Sequence, residues 1–196
     1  MQELSLNILD IVQNSIRAGA SLVEIAVDKQ TAENRMTITI RDDGCGMTEE
    51  QVKRVENPFF TTRTTRPVGL GVPLFKMSAE MTGGSFAITS QVGKGTTVCA
   101  VYVLNHIDLM PLGDMASTMA TLISVNADMD FVYTYAVDGH SFCLDTREVK
   151  EILAGVAVNS PEVLAFVREF VEENTRQVEA EHTIASDNER EIRRFV

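Results

Sequence analysis

Three groups of residues near the start of the chain have the types and spacing that chemistry on a charged ligand needs. Asp10, Asn14 and Arg17 stand at i, i+4 and i+7, so on a helix they share one face. The amide oxygen of Asn14 is a hard ligand of the kind Mg²⁺ takes beside phosphates. Asp10, one turn earlier, could hold a water as general base, and Arg17 could reach a phosphate. The second group is Asp42-Asp43-Gly44-Cys45-Gly46. Its two glycines allow a close backbone approach to a flat ligand. A fixed carboxylate there can accept a hydrogen bond from an exocyclic amine, which adenine offers and guanine does not at that edge. The third is Val68-Gly69-Leu70-Gly71. A glycine loop at a helix N-terminus presents amides to an anion, and Thr61, Thr62, Arg63 and Arg66 add donors just upstream. Taken singly, the three are equally compatible with a solvated helix face, a loop turn and an ordinary helix entry.

The elements that must position these groups follow from periodicity. Leu4, Ile8, Ile11, Val12 and Ile16 recur as on an amphipathic helix over 4–18, with Gly19 as its stop. Val23–Asp28 and Met36–Arg41 alternate like strands, so Asp42 follows a strand end. Thr48–Gln51 spells a capping box ahead of a short helix. Residues 57–71 are too rich in Thr, Pro and Gly for regular structure and read as a flexible lid over phosphates. A helix over 72–81 follows, with Pro73 in its first turn, and then strands over 85–90 and 96–104. Met77, Met81 and Met115 read as core methionines, and Cys45 as an apolar spacer in its loop. Beyond residue 105 the pattern predicts a helix over 112–125 and a hairpin, 130–137 with 140–144, around Asp138-Gly139. A helix over 147–153 follows, and another opens at Ser160-Pro161-Glu162. The last twenty residues are polar enough to fray or project.

The ordered string Asn14-Ser15-Ile16-Arg17-Ala18-Gly19-Ala20, Arg41-Asp42-Asp43-Gly44-Cys45-Gly46-Met47, Pro58-Phe59-Phe60-Thr61-Thr62, Gly69-Leu70-Gly71, Gly83-Gly84 and Gly93-Lys94-Gly95-Thr96-Thr97 resembles the GHKL ATP-binding family. That family comprises the gyrase-type, heat-shock-chaperone, histidine-kinase and mismatch-repair ATPases. The resemblance covers about residues 4–104. From Phe59 onward it is similar to histidine-kinase ATPase domains, and around Asn14 to mismatch-repair ATPases. It implies an α+β Bergerat-type two-layer sandwich, a mixed sheet backed by helices. It also implies ATP and Mg²⁺ as ligands. It assigns Asn14 to the metal, Asp42 to the adenine amine, Gly44 and Gly46 to the adenine pocket, and Gly69, Leu70 and Gly71 to the phosphates. Thr96 would support the adenine, with Thr97 as its rival if the strand parity is reversed. Arg17 stands where histidine kinases often carry a phosphate-binding lysine.

Three departures from the family pattern bear on the reaction. Asp10 replaces the usual Glu of the hydrolysing branches, one methylene shorter. Pro67-Val68 stands where histidine kinases usually show Gly-Thr, which removes an amide donor. The motif helix begins within the first residues, leaving no room before it for a dimerisation helix with a phosphoacceptor histidine. His106, His140 and His182 all follow the motifs and read as structural or surface groups.

Composition narrows the remainder. With 44% hydrophobic and 23% charged residues, the chain of 196 residues is an ordinary globular sequence. Three scattered cysteines point to a reduced, cytoplasmic protein without disulfides or a zinc site. Residues 1–105 hold 11 acids and 10 bases, whereas 106–196 hold 17 acids and 7 bases. The charge of −10 on the second part argues against nucleic acid and anionic membranes as partners. The expected organisation is an ATP-binding domain over 1–105 and a smaller acidic α/β extension over 106–196 that packs on the sheet, forms a dimer interface or docks a partner. Three functions stay open. The first is a histidine-kinase-like or anti-sigma-kinase-like phosphotransferase acting on a separate protein. The second is a slow ATPase switch with Asp10 as base. The third is a non-catalytic ATP sensor that binds a partner or a second subunit.

Overall fold

A computed structural model describes residues 3–55, 71–153 and 155–192, the side chains of 183–192 excepted. The elements run α1 (Leu4–Arg17), β1 (Leu22–Gln30), β2 (Arg35–Asp42), α2 (Glu49–Val55), α3 (Gly71–Met81), β3 (Ser85–Gln91), β4 (Gly95–Val103), α4 (Met115–Val125), β5 (Asp130–Val137), β6 (His140–Asp145), α5 (Thr146–Leu153) and α6 (Pro161–Ile192). One mixed sheet contains all six strands in the order β3-β4-β2-β1-β5-β6. All neighbours are antiparallel except β1 and β5, which run parallel with Ile25 opposite Tyr133. The sheet therefore continues without a break from the part that carries the motifs into residues beyond 105.

Period-two alternation decides which face of the sheet is covered. Val23, Ile25 and Val27 of β1, Ile38 and Ile40 of β2, Val98 and Tyr102 of β4, and Phe131, Tyr133 and Tyr135 of β5 are all buried. They pack beneath Leu4, Ile8, Ile11 and Val12 of α1, Phe75 of α3, Met119 and Leu122 of α4, and Val167 and Val171 of α6 in one cluster. The other face carries half-buried Thr39, Thr97, Cys99 and Thr134. Helices over one face of a mixed sheet make the two-layer α+β arrangement expected from the sequence.

Local signals explain most boundaries. Thr48 and Gln51 form the reciprocal box: the Thr48 amide donates to Gln51 Oε1 at 2.8 Å, and the Gln51 amide to Thr48 Oγ1 at 3.3 Å. Asp138 and Gly139 both take positive φ, 48° and 89°, as the two-residue hairpin demands. Three expectations change. The helix expected from residue 112 starts at Met115, because Asp114 caps it by accepting the Ser117 amide at 2.8 Å. Leu112 is held instead in a backbone bond, its carbonyl accepting the Ser5 amide at 2.8 Å. Met77 and Met81 are 48% and 55% exposed, on the outer side of α3, while Met115 is buried as expected. The polar C-terminal stretch continues α6 to Ile192. Val163, Val167, Val171 and Val178 are the buried stripe of that helix. Beyond them Glu179 binds Lys29 at 3.1 Å and accepts from the Tyr135 hydroxyl at 2.6 Å. His182 and His140 pair with Asp138 and Glu181, structural roles that match their sequence reading.

Candidate functional site

The alternation of β2 that buries Ile38 and Ile40 also turns its last residue, Asp42, inward beneath α1; the residue is 8% exposed. Among the described residues three donors meet its carboxylate. The Ser15 hydroxyl gives its proton to Oδ2 at 2.7 Å, and the amides of Gly44 and Thr96 donate to Oδ1 at 3.0 and 3.2 Å. A carboxylate has about four lone-pair sites, so one acceptor site remains, on Oδ2.

The neighbouring Asp43 is differently engaged. It accepts from the amides of Ser21 at 2.7 Å and Leu22 at 2.9 Å, and from the Ser21 hydroxyl. What burial it has works against ionisation, but those donors outweigh it and hold its pKa below the ordinary 3.8. Asp43 thus closes the loop onto the start of β1 from the exposed side, and Asp42 is the buried member of the pair, turned beneath α1.

The glycine loop is wedged between the end of α1 and the turn joining β3 to β4. The Cys45 amide donates to the Ala18 carbonyl at 2.9 Å, and the Gly93 amide to the Cys45 carbonyl at 2.8 Å. A β-carbon on Gly44 would stand 2.9 Å from that of Ala18. At Gly46 φ is +66°, and a β-carbon would meet the Gln91 carbonyl oxygen at 2.0 Å. The close approach read from the sequence is therefore, at Gly46, an approach of the chain to itself. Cys45 contributes its backbone, while its side chain is exposed.

Opposite Asp42 in the sheet register stands Thr96. It lies on the same face as Val98 and Ala100, so the parity places Thr96, rather than Thr97, on the Asp42 side. The Ser90 hydroxyl lies 2.9 Å from Thr96 Oγ1, 2.9 Å from the Gly95 carbonyl and 2.8 Å from the Met47 amide.

Asp10, Asn14 and Arg17 are all exposed on the outer face of α1, as their spacing predicts. Arg17 Nη1 donates to Asn14 Oδ1 at 3.3 Å. The amide oxygen proposed for a cation is thus already turned to a cationic group, a donor set that suits one protein oxygen among waters and phosphate oxygens on Mg²⁺. Gly71, the first residue of α3, sits against the same face; a β-carbon there would come 3.1 Å from that of Asp10. The start of α3 therefore lies beside Asp10. Thr62, Arg63, Gly69 and Leu70 lie outside the described residues, as do Thr61, Arg66 and most of the expected lid.

The structure thus gathers Asn14, Arg17, Asp10 and Gly71 on one side and Asp42, Gly44, Gly46 and Thr96 on another, with α1 common to both. The sequence reading passed over Ser15 and Ser90. Ser15 did carry a signal. It lies beside Val12 and Ile16 on the helix, and a hydroxyl buried there needs a partner. Ser90 carried none, because its bonds depend on where two distant loops meet a strand end.

Comparison with known proteins bears on the family and the fold. Residues 2–106 match the family model described as "Histidine kinase-, DNA gyrase B-, and HSP90-like ATPase". Sporulation kinase E of Bacillus subtilis is 34% identical over 89 residues, 45% of this chain and 12% of that protein. Sensor protein SrrB of Staphylococcus aureus is 31% identical over 102 residues, 50% of this chain and 17% of that protein. The similarity is thus confined to a small part of each relative. Among solved structures, the N-terminal domain of a DNA repair protein superposes with a TM-score of 0.51 at 15% identity, covering 74% of this chain and 53% of that one. This likeness is one of fold, and the sheet with its helices is a Bergerat-type α+β architecture. Among the described residues no helix is long and apolar enough to cross a membrane.

Proposed function

Because the chain belongs to the histidine kinase-, DNA gyrase B- and HSP90-like ATPase family, we propose that it binds ATP with Mg²⁺ and transfers the γ-phosphate to a separate protein. The observation that carries the binding is the Asp42 carboxylate. It is fixed by Ser15, Gly44 and Thr96 with one acceptor site left for the exocyclic amine of adenine. Thr96 backs the base, and the Gly44–Gly46 loop walls it. Asn14 holds the metal, and Gly71 stands at the phosphate end; Gly69, Leu70, Thr62 and Arg63 are assigned to the phosphates by their sequence motifs alone. Arg17 exchanges its bond to Asn14 for a phosphate oxygen. Bound Mg²⁺ would supply charge neutralisation at the phosphates. The protein's own part is to orient the nucleotide through Asp42 and to offer α3 amides and Arg17 to the transferring group.

Transfer is favoured over simple hydrolysis by two supports. The similar stretches of sequence include one from a protein named a kinase and one from a protein named a sensor. Asp10 has the shorter side chain and is exposed, a weak placement for activating water on its own. The acceptor is a protein that presents its nucleophile at the α3 end. The charge of −10 on residues 106–196 favours a partner with a basic docking face. A slow ATPase switch is the second reading, favoured by the proximity of Asp10 to Gly71 at the start of α3.

The fate of the γ-phosphate tests the choice. The chain is incubated with Mg²⁺, γ-labelled ATP and a protein fraction of its source cell, and label is followed into protein, inorganic phosphate and intact ATP. Transfer predicts label in a separate protein, lost with Asn14→Ala. Phosphate release without labelled protein, abolished by Asp10→Asn, would establish the switch instead. Bound ATP recovered intact would leave a sensor.

A further inference from the structure

A cavity of about 400 Å³ lies between the start of α4, the middle of α6 and strand β5, and it shares no residue with the proposed nucleotide site. Tyr133 rises from β5 to form its floor and is 0% exposed. The Tyr133 hydroxyl has no hydrogen-bond partner among the described residues. Burial and the charge of Glu179 push the phenol up, so it keeps its proton and stands as a donor. Glu179 itself accepts from the Tyr135 hydroxyl at 2.6 Å and binds Lys29 at 3.1 Å. A buried donor without an acceptor is costly, and one that faces a cavity points to a ligand.

Further donors line the same space. Thr175 brings a hydroxyl and Arg176 a guanidinium. Arg176 Nε donates to the Glu172 carbonyl at 3.3 Å, and its terminal nitrogens have no ion pair among the described residues. Met115 opens α4, so its amide has no acceptor within the helix. Two acids stand at the cavity. Asp114 is occupied as the cap of α4, accepting the Ser117 amide at 2.8 Å. Glu172 has no ion pair among the described residues and lies one helical turn before Arg176. Leu112, Met115 and Val171 make the remaining wall apolar. The volume is at the small end of ligand pockets. We infer that this cavity binds a small apolar α-amino acid. Its carboxylate takes protons from Tyr133, Thr175 and Arg176, its ammonium meets Glu172, and its side chain lies on the apolar wall. A carboxylate without an amine would set a second negative charge against Glu172. An amine without a carboxylate would leave the Tyr133 proton without an acceptor and set a second positive charge against Arg176.

Calorimetric titration and thermal melting of the full chain test this with leucine as the probe. Isocaproate is leucine without its ammonium, and isoamylamine is leucine without its carboxylate. Leucine should bind and raise the melting temperature, and each truncated analogue should bind at least tenfold more weakly. Tyr133→Phe removes the orphaned hydroxyl. The ligand-free variant should therefore melt no lower than wild type, while its leucine affinity falls at least tenfold. Arg176→Gln, at an exposed position, should show the same loss of leucine without touching the core. Glu172→Gln should bring isocaproate to within threefold of leucine. No leucine binding in the millimolar range would overturn the inference. So would isocaproate or isoamylamine binding as tightly as leucine to the wild-type chain, or leucine affinity within twofold of wild type in both Tyr133→Phe and Arg176→Gln. Absent leucine binding together with a lower melting temperature of Tyr133→Phe would assign the cavity to ordered water instead.

Discussion

The Ser15 hydroxyl lies 2.7 Å from Asp42 Oδ2, joining the last turn of the fold's first helix to the last residue of its second strand. Ser15 follows Asn14 directly, so the residue proposed to read the base and the one proposed to hold the metal are linked through a single helical turn. Position at one end of the nucleotide is thereby referred to the other. This is the rigid support a binding site needs.

The glycine loop gives a prediction about stability. At Gly46 a β-carbon would collide with the Gln91 carbonyl and would also force an L-residue into the left-handed region. Gly46→Ala should cost about 2–4 kcal/mol, combining backbone strain with steric displacement. Gly93 has φ +76° but nothing within 4 Å of the added carbon, so Gly93→Ala should cost only the strain, about 1–2 kcal/mol. Urea midpoints of the two variants measure the difference. Equal losses would mean that the loop is not wedged against the β3–β4 turn.

Metal dependence tests the outer face of α1. Asn14→Ala should weaken the dependence of ATP affinity on Mg²⁺ concentration and leave Mg²⁺-free binding nearly unchanged. Arg17→Ala removes the cation from Asn14 Oδ1 and should not reduce that dependence. Titration of ATP at graded Mg²⁺ reads both. An unaltered dependence in Asn14→Ala would remove it as the ligand.

Acidity tests the role of Asp43. Its folded-state pKa lies below 3.8 because the Ser21 hydroxyl and the Ser21 and Leu22 amides outweigh the opposing effect of burial. A lowered carboxylate contributes stability that is fully present above its unfolded pKa and is lost as pH falls through the folded value. Stability from this group is thus flat from pH 7 to about 5 and declines below about 4. Asp43→Asn should be less stable than wild type at pH 7 and show a shallower decline in acid. Urea midpoints at pH 7, 5 and 3 check the sign, and parallel curves for the two proteins would contradict it.

Much of the fold could be read from residues whose signals are local. The apolar repeat of α1, the box at Thr48 and Gln51, and the Asp138-Gly139 turn each specify an element through neighbours in sequence. The pairing of β5 with β1 could not be read so, because residues 22–29 and 130–137 meet only through a crossover. The exposure of Met77 and Met81 was hidden for a related reason, since their side of α3 depends on which face the rest of the fold covers. The same division holds in the site. Asp42, Gly44 and Gly46 announce themselves by a compact spacing, and Thr96 by strand parity. Ser90 acquires its bonds only when the loop at Met47 and the start of β4 converge on it.

The central claim is that Asp42 reads the exocyclic amine of ATP. Calorimetric titration of Mg²⁺-ATP into the wild-type chain and into Asp42→Asn tests it most directly. The variant keeps the shape of the side chain but loses the charge and sets an amide group against Ser15 and the two backbone donors. The account predicts a loss of about 1.5–3 kcal/mol in binding, as for a hydrogen bond to a charged group, with the melting curve still cooperative. Equal ATP affinity in the two proteins would contradict it and require a different orientation of the nucleotide.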